Sequence, residues 1–290
     1  MPEHLSPALL DPPPGEDATP PAFHLQSASF AYADGTPALR DITLRIGQGE
    51  KVAVLGANGS GKSTLLRLLD GLHFAASGRV EAFGLEVSER ALRSPAHSAR
   101  LRRRVGFVFQ NPDAQLFSTT ARDEIAFGPL QLGLPAAEIE RRIADVAALL
   151  EIGHLLDRPP FRLSGGEKKK VAVASVLAAG PDAILLDEPL GGLDPRSQRG
   201  MVDLFVRLHR AGKTLVTATH DLTAVAELAD RVVVLNEEHG LEAEGPAGTV
   251  LGDLELLTRV NLIHEHLHWH GDLCHSHPHF HDHDHTHEHP

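Results

Sequence analysis

Nine residues, Gly56-Ala57-Asn58-Gly59-Ser60-Gly61-Lys62-Ser63-Thr64, constrain this chain more than any other stretch. Their pattern, G-x-x-x-x-G-K-[ST], is that of a loop that cradles phosphate. Glycines let the backbone turn tightly and aim successive N–H groups at phosphate oxygens. Lys62 supplies a point charge for the β- and γ-phosphates, and Ser63 a hydroxyl for Mg²⁺. Lys51–Leu55 before the loop reads as a buried strand and Thr64–Leu69 after it as a helix. Phosphate then sits at a helix N-terminus, where the backbone dipole favours negative charge. Further along, apolar strands alternate with helical patterns, which predicts an α/β fold with a parallel sheet.

Four later segments narrow the chemistry. Leu163-Ser164-Gly165-Gly166-Glu167 precedes an apolar-periodic helix, which Ser164 can cap while the glycines bring N–H groups close to an anion. In Ala183-Ile184-Leu185-Leu186-Asp187-Glu188-Pro189, four apolar residues make a buried parallel strand. Two carboxylates then stand at its C-terminal end, where open α/β sheets bind ligands. Asp187 is placed to hold Mg²⁺ and Glu188 to polarise an attacking water. Leu193-Asp194-Pro195 follows, then the strand Thr214–Val216 and Thr217-Ala218-Thr219-His220-Asp221. A histidine at that strand end can donate a hydrogen bond to a γ-phosphate.

In composition, order and spacing this set resembles the ATP-binding cassette (ABC) family over roughly residues 23–262. Gly56–Thr64 is similar to its Walker A motif, Leu163–Glu167 to its signature motif, and Ile184–Glu188 to its Walker B motif with the catalytic glutamate. Leu193-Asp194 resembles the D-loop and His220 the switch histidine. Gln110, after Val105–Phe109, resembles the Q-loop glutamine, and Tyr32, the only tyrosine, the aromatic residue that stacks on adenine. The resemblance implies a RecA-like P-loop NTPase core, an inserted helical subdomain near residues 90–161 and small N-terminal antiparallel strands. It implies ATP bound by Tyr32, Gly56, Asn58, Gly59, Ser60, Gly61, Lys62, Ser63 and Thr64. Mg²⁺ would be held through Ser63, Gln110 and Asp187. Glu188, His220 and Gln110 would serve catalysis. Two such domains would pair head to tail, with Ser164, Gly165, Gly166 and Asp194 of one reaching the ATP of the other. One copy is present, so the second ATPase subunit is another copy or a paralogue. The chain departs from the common pattern at Glu167, where glutamine is usual, and at Leu190-Gly191 before the small Gly192.

The 290 residues are 42% hydrophobic but only 4% aromatic, so the core should be aliphatic. No apolar run reaches the ~20 residues needed to span a bilayer, and no signal-peptide pattern is present. The single cysteine, Cys274, suits a reducing compartment. The expected location is therefore the cytoplasmic face of a membrane, reached through a partner. A net charge of −12 argues against nucleic acid as a partner. Arg100, Arg102, Arg103 and Arg104 form a local basic cluster, read most simply as a solvated face and more sharply as a partner or lipid contact.

Two features bear on cargo. Phe109–Phe117 and Asp123–Pro129 resemble the ATPase subunits of energy-coupling-factor transporters, which include cobalt and nickel importers. There this stretch helps form a groove for a membrane partner, although Leu116, Phe117, Ile125 and Phe127 equally suit a core. The C-terminal 27 residues hold twelve histidines, among them His275, His277, His279, His281, His283, His285, His287 and His289. The segment has no lysine or arginine and few apolar residues, so residues 263–290 are expected to be a disordered tail. Imidazole suits Ni²⁺, Co²⁺, Zn²⁺ and Cu²⁺ without choosing among them. Residues 1–22, rich in proline and acid, are also expected to be disordered. The sequence thus points to the ATPase of a transition-metal importer, nickel or cobalt, with a membrane scaffold and a substrate-binding membrane component as partners. A vitamin importer and a soluble metal-handling NTPase are the alternatives, and the latter lacks the N-K-x-D motif expected of a GTPase.

Overall fold

The computed structural model describes residues 19–270 and 273–280, with side chains through Ile263. β1 (Phe23–Ala31) and β2 (Pro37–Ile46) pair antiparallel and lead into β3 (Lys51–Leu55), the phosphate loop and α1 (Lys62–Asp70). β4 (Ser77–Ala82) and β5 (Leu85–Glu86) return to the first strands and complete a four-stranded antiparallel sheet, order β2-β1-β4-β5. Then come α2 (Glu89–Leu92), α3 (Pro95–Arg104), β6 (Val105–Val108), α4 (Ala121–Gln131), α5 (Ala136–Leu149) and α6 (Gly165–Ala179). The rest of the main sheet follows as β7 (Ala183–Asp187), α7 (Pro195–Arg210), β8 (Thr214–Ala218), α8 (Leu222–Leu228), β9 (Arg231–Leu235) and β10 (Leu241–Pro246). α9 (Ala247–Gly252) and α10 (Leu254–Arg259) precede a last pair, β11 (Ile263–His270) and β12 (Leu273–Phe280).

The main sheet has six strands in the order β10-β9-β3-β8-β7-β6, all parallel except β10. Helices cover both faces, so its central strands are apolar throughout rather than alternating. All five residues of β7 and the last four of β3 are buried. One core joins this sheet to α1 and the antiparallel sheet through Phe23, Leu25, Leu66 and Leu69. A second lies beneath α4–α7, with Ile125, Ile143, Val171 and Phe205. Register places Val54 beside Ala218, and Ala218 beside Asp187, so the C-terminal ends of β3, β8 and β7 line up. That alignment positions the site.

Several expectations need correcting. β6 lies inside the stretch expected to be a helical insert, yet it pairs with β7 in the main sheet, so the helices divide around it. The ordered body begins before residue 23. Ala22 is fully buried, its carbonyl accepts from Phe83 N at 2.9 Å, and the Gln48 amide donates to Pro20 O at 2.7 Å. The arginine cluster is only in part a solvated face: Arg100 and Arg103 are exposed, whereas Arg102 and Arg104 are half-buried in ion pairs. Arg102 pairs with the buried Asp70 at 2.7 Å, and Arg104 pairs with Asp182 at 2.8 Å over the Phe83 ring. Arg103 donates to Leu132 O.

The tail is the largest difference. β11 and β12 form an antiparallel pair from Ile263↔Phe280 to His270↔Leu273, where disorder was expected. Histidine alternating with other residues has the period of a strand. Residues 1–18 lie outside the described residues, as do His281, His283, His285, His287 and His289.

Candidate active site

The phosphate loop needs glycine at two positions in particular. Gly56 has φ 152°, and a β-carbon there would lie 2.6 Å from Leu235 O. Gly61 has φ 107°, and a β-carbon would lie 2.3 Å from Ala38 O. Only glycine tolerates both the conformation and the close backbone approach. Lys62 is buried, and its ammonium donates to Gly56 O at 2.8 Å and Ala57 O at 3.0 Å. Desolvation lowers its pKa, while the charges of Glu188 and Asp187 oppose that shift.

Ser63 Oγ, on the first turn of α1, donates to Asp187 Oδ1 at the end of β7, 2.8 Å away. Asp187 is almost wholly buried, which raises its pKa despite the Ser63 bond. Its second oxygen, Oδ2, is buried without a hydrogen-bond partner. A hydroxyl oxygen beside an unpaired buried carboxylate oxygen fits a hard dication such as Mg²⁺.

Glu188 follows in a left-handed conformation, φ 45°. Its backbone N–H donates to Ala218 O at 2.9 Å, joining the turn to β8. Its Oε2 accepts from Thr219 Oγ1 at 3.1 Å, and its Oε1 lies 2.7 Å from His220 Nδ1. In a neutral ring that donates through Nδ1, Nε2 is an acceptor, and it becomes a donor to phosphate only in the imidazolium form. The first partner of His220 is therefore Glu188, a contact the sequence reading did not anticipate.

Of these groups, Gly61, Lys62, Ser63, Glu188 and His220 line one cleft of about 500 Å³, while Asp187 is not among its lining residues and is joined to it through Ser63. Tyr32, Asn58, Gly59, Gly61, Lys62, Ser63, Thr64, Gln110, Glu188 and His220 all line it. Tyr32 is fixed at its edge. Its hydroxyl lies 2.8 Å from Thr64 Oγ1, and its ring stands edge-on to Phe30 and His73, which stack at 4.7 Å. Gly56 and Ser60 belong to the loop's interior, where Ser60 is buried. Arg67 and His239 also line the cleft and were missed. Arg67 is one α1 turn beyond Ser63 and was foreseeable from helical spacing. His239 comes from the β9–β10 connection, and nothing local in the sequence points to it.

Ser164, Gly165, Gly166 and Asp194 do not line this cleft. Ser164 and Asp194 are exposed helix caps. Glu167, the departure from the usual glutamine, has a local role: its carboxylate accepts from Ser164 N at 2.7 Å and closes a capping box on α6. Gly192 has φ 73° and forms the turn that leads to Asp194. Gln110 follows β6, and the next residues are tied to α6. Gln115 donates to Ala172 O at 2.8 Å, and Lys168 pairs with Asp113 at 2.6 Å.

A phosphate loop at the switch between parallel strands, facing an Asp–Glu pair, defines a nucleotide hydrolase of the P-loop class. The ABC transporter family profile matches residues 39–191. The chain is 51% identical over 246 residues to the nickel import ATP-binding protein NikO of Rhodobacter capsulatus, covering 84% of this chain and 96% of that one. Among solved structures, cbiO1 from Clostridium perfringens, part of the ABC transporter complex cbiONQ, superposes with TM-score 0.70. It is 35% identical over 84% of this chain and 95% of the other. The ATP-binding cassette MJ0796, solved as a dimer bound to ADP and Pi, has TM-score 0.71 and 27% identity, covering 78% and 98%. The chain belongs to the ABC transporter family and has its ATPase fold. It is an ATPase whose family binds ATP with Mg²⁺, couples hydrolysis to transport, dimerises and works with membrane components.

Proposed function

We propose that this chain is the ATP-hydrolysing subunit of an energy-coupling-factor type importer that powers uptake of nickel or cobalt through membrane partners. The observation that carries the reading is the convergence of Lys62, Ser63, Glu188 and His220 on one cleft, with Asp187 bonded to Ser63 behind it, in a chain 51% identical to a nickel import ATP-binding protein. Lys62 and the loop N–H groups hold the β- and γ-phosphates, and Tyr32 stacks on adenine. Ser63, Asp187 and Gln110 hold Mg²⁺, which supplies charge neutralisation on the phosphate oxygens. Glu188, oriented by Thr219 and His220, accepts a proton from the attacking water. Ser164, Gly165, Gly166 and Asp194 complete the site of a second ATPase subunit, packed head to tail.

The subunit works at the cytoplasmic face of the membrane, bound through partners. No helix among the described residues is long and apolar enough to cross a bilayer. Phe117 and Phe127 support a docking groove. They are 68% and 41% exposed and pack edge to face at 4.9 Å, beside a cavity of about 460 Å³. Ile125 is buried and Leu116 packs on the core, so only part of that stretch is available to a partner. The histidine-rich tail binds an ion of the same class as the cargo. The test is ATP-driven uptake of Ni²⁺ and Co²⁺ into proteoliposomes that hold the chain with its co-purified membrane subunits. Uptake of either ion, lost in Glu188→Gln, supports the reading. Vitamin uptake without metal uptake overturns the cargo.

A further inference from the structure

Tyr32 is 39% exposed at the rim of the cleft, where an unsupported side chain would turn between rotamers. Three contacts hold it. Its hydroxyl lies 2.8 Å from Thr64 Oγ1, on the first turn of α1. Its ring meets Phe30 at 5.3 Å and 83°, and His73 at 5.9 Å and 89°. Phe30 and His73 stack on each other, 4.7 Å apart and 18° from parallel. At such separations and angles aromatic rings attract one another.

The chain builds this cluster from two directions. Phe30 and Tyr32 stand two residues apart, the spacing that puts side chains on one side of an extended chain. His73 arrives from the far end of α1. Gly71 ends that helix with φ 73°, where a β-carbon would lie 2.7 Å from Leu92 Cδ1. The N–H groups of Leu72 and His73 both donate to Arg67 O, at 2.9 and 3.2 Å, and Ala76 N donates to Ser29 O at 2.8 Å. The segment after α1 is thereby tied to β1, beside Phe30. Tyr32 is held from both ends of the helix that begins with Lys62.

The nitrogen Nε2 does not explain why His73 is there. It is buried without a hydrogen-bond partner among the described residues. Burial lowers the pKa of His73, and the charge of Arg67 acts in the same direction, so the ring is neutral at pH 7. An unpaired buried nitrogen is a cost that phenylalanine would not carry. What the ring contributes is its face.

We propose that His73 is a positioning residue for the nucleobase: with Phe30 it forms an aromatic platform that sets the ring of Tyr32 at the angle on which adenine stacks. The inference rests on the reading that Tyr32 stacks on adenine. It extends that base contact to a residue beyond α1 that does not itself line the cleft.

The test measures binding of ATP and of inorganic triphosphate to the full chain by calorimetry, with kcat and KM for ATP alongside. Thermal unfolding checks that each variant is folded. His73→Leu fills the space without an aromatic ring, and His73→Gln keeps a polar group there. Each is expected to weaken ATP binding about fivefold, the worth of one aromatic pair, and to leave inorganic triphosphate within about twofold. KM should rise by the same factor, with kcat within about twofold. His73→Phe should restore ATP binding to within about twofold of the original chain. In a Tyr32→Ala chain, His73→Leu should add less than about twofold, because the ring it supports is gone. Unchanged ATP binding in His73→Leu and His73→Gln, an equal loss for inorganic triphosphate, or no rescue by His73→Phe overturns the inference and leaves Tyr32 as the base platform. If Tyr32→Ala binds ATP as tightly as the original chain, the adenine reading falls and the inference with it.

Discussion

The buried ammonium of Lys169 donates to the carbonyl oxygens of Glu188 and Gly191, at 2.9 and 2.7 Å. It joins α6, the helix of the signature motif, to the turn that carries the proposed catalytic carboxylate. Glu188 occupies a left-handed conformation that costs a non-glycine residue about 1–2 kcal/mol, so the turn needs such support. Lys169→Met removes the ammonium donor from both carbonyls, leaving Glu188 O only the 3.3 Å bond from Gly191 N, and should destabilise the fold by about 1–3 kcal/mol. It should also lower kcat about tenfold or more while KM for ATP stays within a few-fold, since the nucleotide-holding loop is untouched. Lys169→Arg should recover part of kcat. Equal loss in both parameters, or full activity in a merely less stable protein, would count against a positioning role.

Glu188→Gln preserves the size of the side chain and can still accept from Thr219, but it removes the proton acceptor. Hydrolysis should fall by about 10²-fold or more, with ATP affinity within a few-fold. Phosphate release and equilibrium nucleotide binding check this together. Lys62→Ala should do the reverse first, weakening nucleotide binding, because its ammonium is the charge held inside the phosphate loop.

Asp70 gives a pH signature. Burial raises its pKa to about 6, against the opposing charge and hydrogen bond of Arg102. The folded protein therefore holds a proton that the unfolded chain, at its ordinary value of 3.8, releases. This contribution to stability is full below about pH 4, declines as pH rises to about 6 and is then lost, by up to roughly 3 kcal/mol. Asp70→Asn has no such titration. Urea unfolding of both proteins between pH 4 and 7 should show their stability difference changing across that window and flat above it. A constant difference would contradict the buried-carboxyl assignment.

Phe117→Ser with Phe127→Ser should change stability by no more than about 1 kcal/mol, because both rings are exposed, and leave basal ATPase activity intact. Co-purification with the membrane subunits should be lost. Ile125→Ser, two residues from Phe127 but fully buried, should instead cost about 3 kcal/mol or more. Retained assembly in the double variant would remove the groove from the proposal.

Much of the site was legible because its chemistry is local. The phosphate loop, the Asp187–Glu188 pair and His220 all stand at ends of apolar strands, and parallel pairing brings those ends together. What was not legible depends on distant partners. Arg102 looks like a surface charge until α1 sets Asp70 against it, 32 residues away. Lys169 looks like one of three solvated lysines until the β7 turn caps its ammonium. A strand at Val105 was legible, but its place in the main sheet was not, since that depends on pairing with β7. Glu167 reads as a deviation from a family motif, whereas its capping bond to Ser164 N is a local reason for the residue.

Ser164 and Asp194 lie outside the cleft of their own chain. Under the proposed head-to-tail pairing, a solitary copy has an incomplete hydrolytic centre. Turnover in dilute solution would then rise with the square of protein concentration until pairing saturates. A transporter that carries two copies side by side would escape that law, so stray subunits would sit idle and ATP would be spent chiefly where cargo can move.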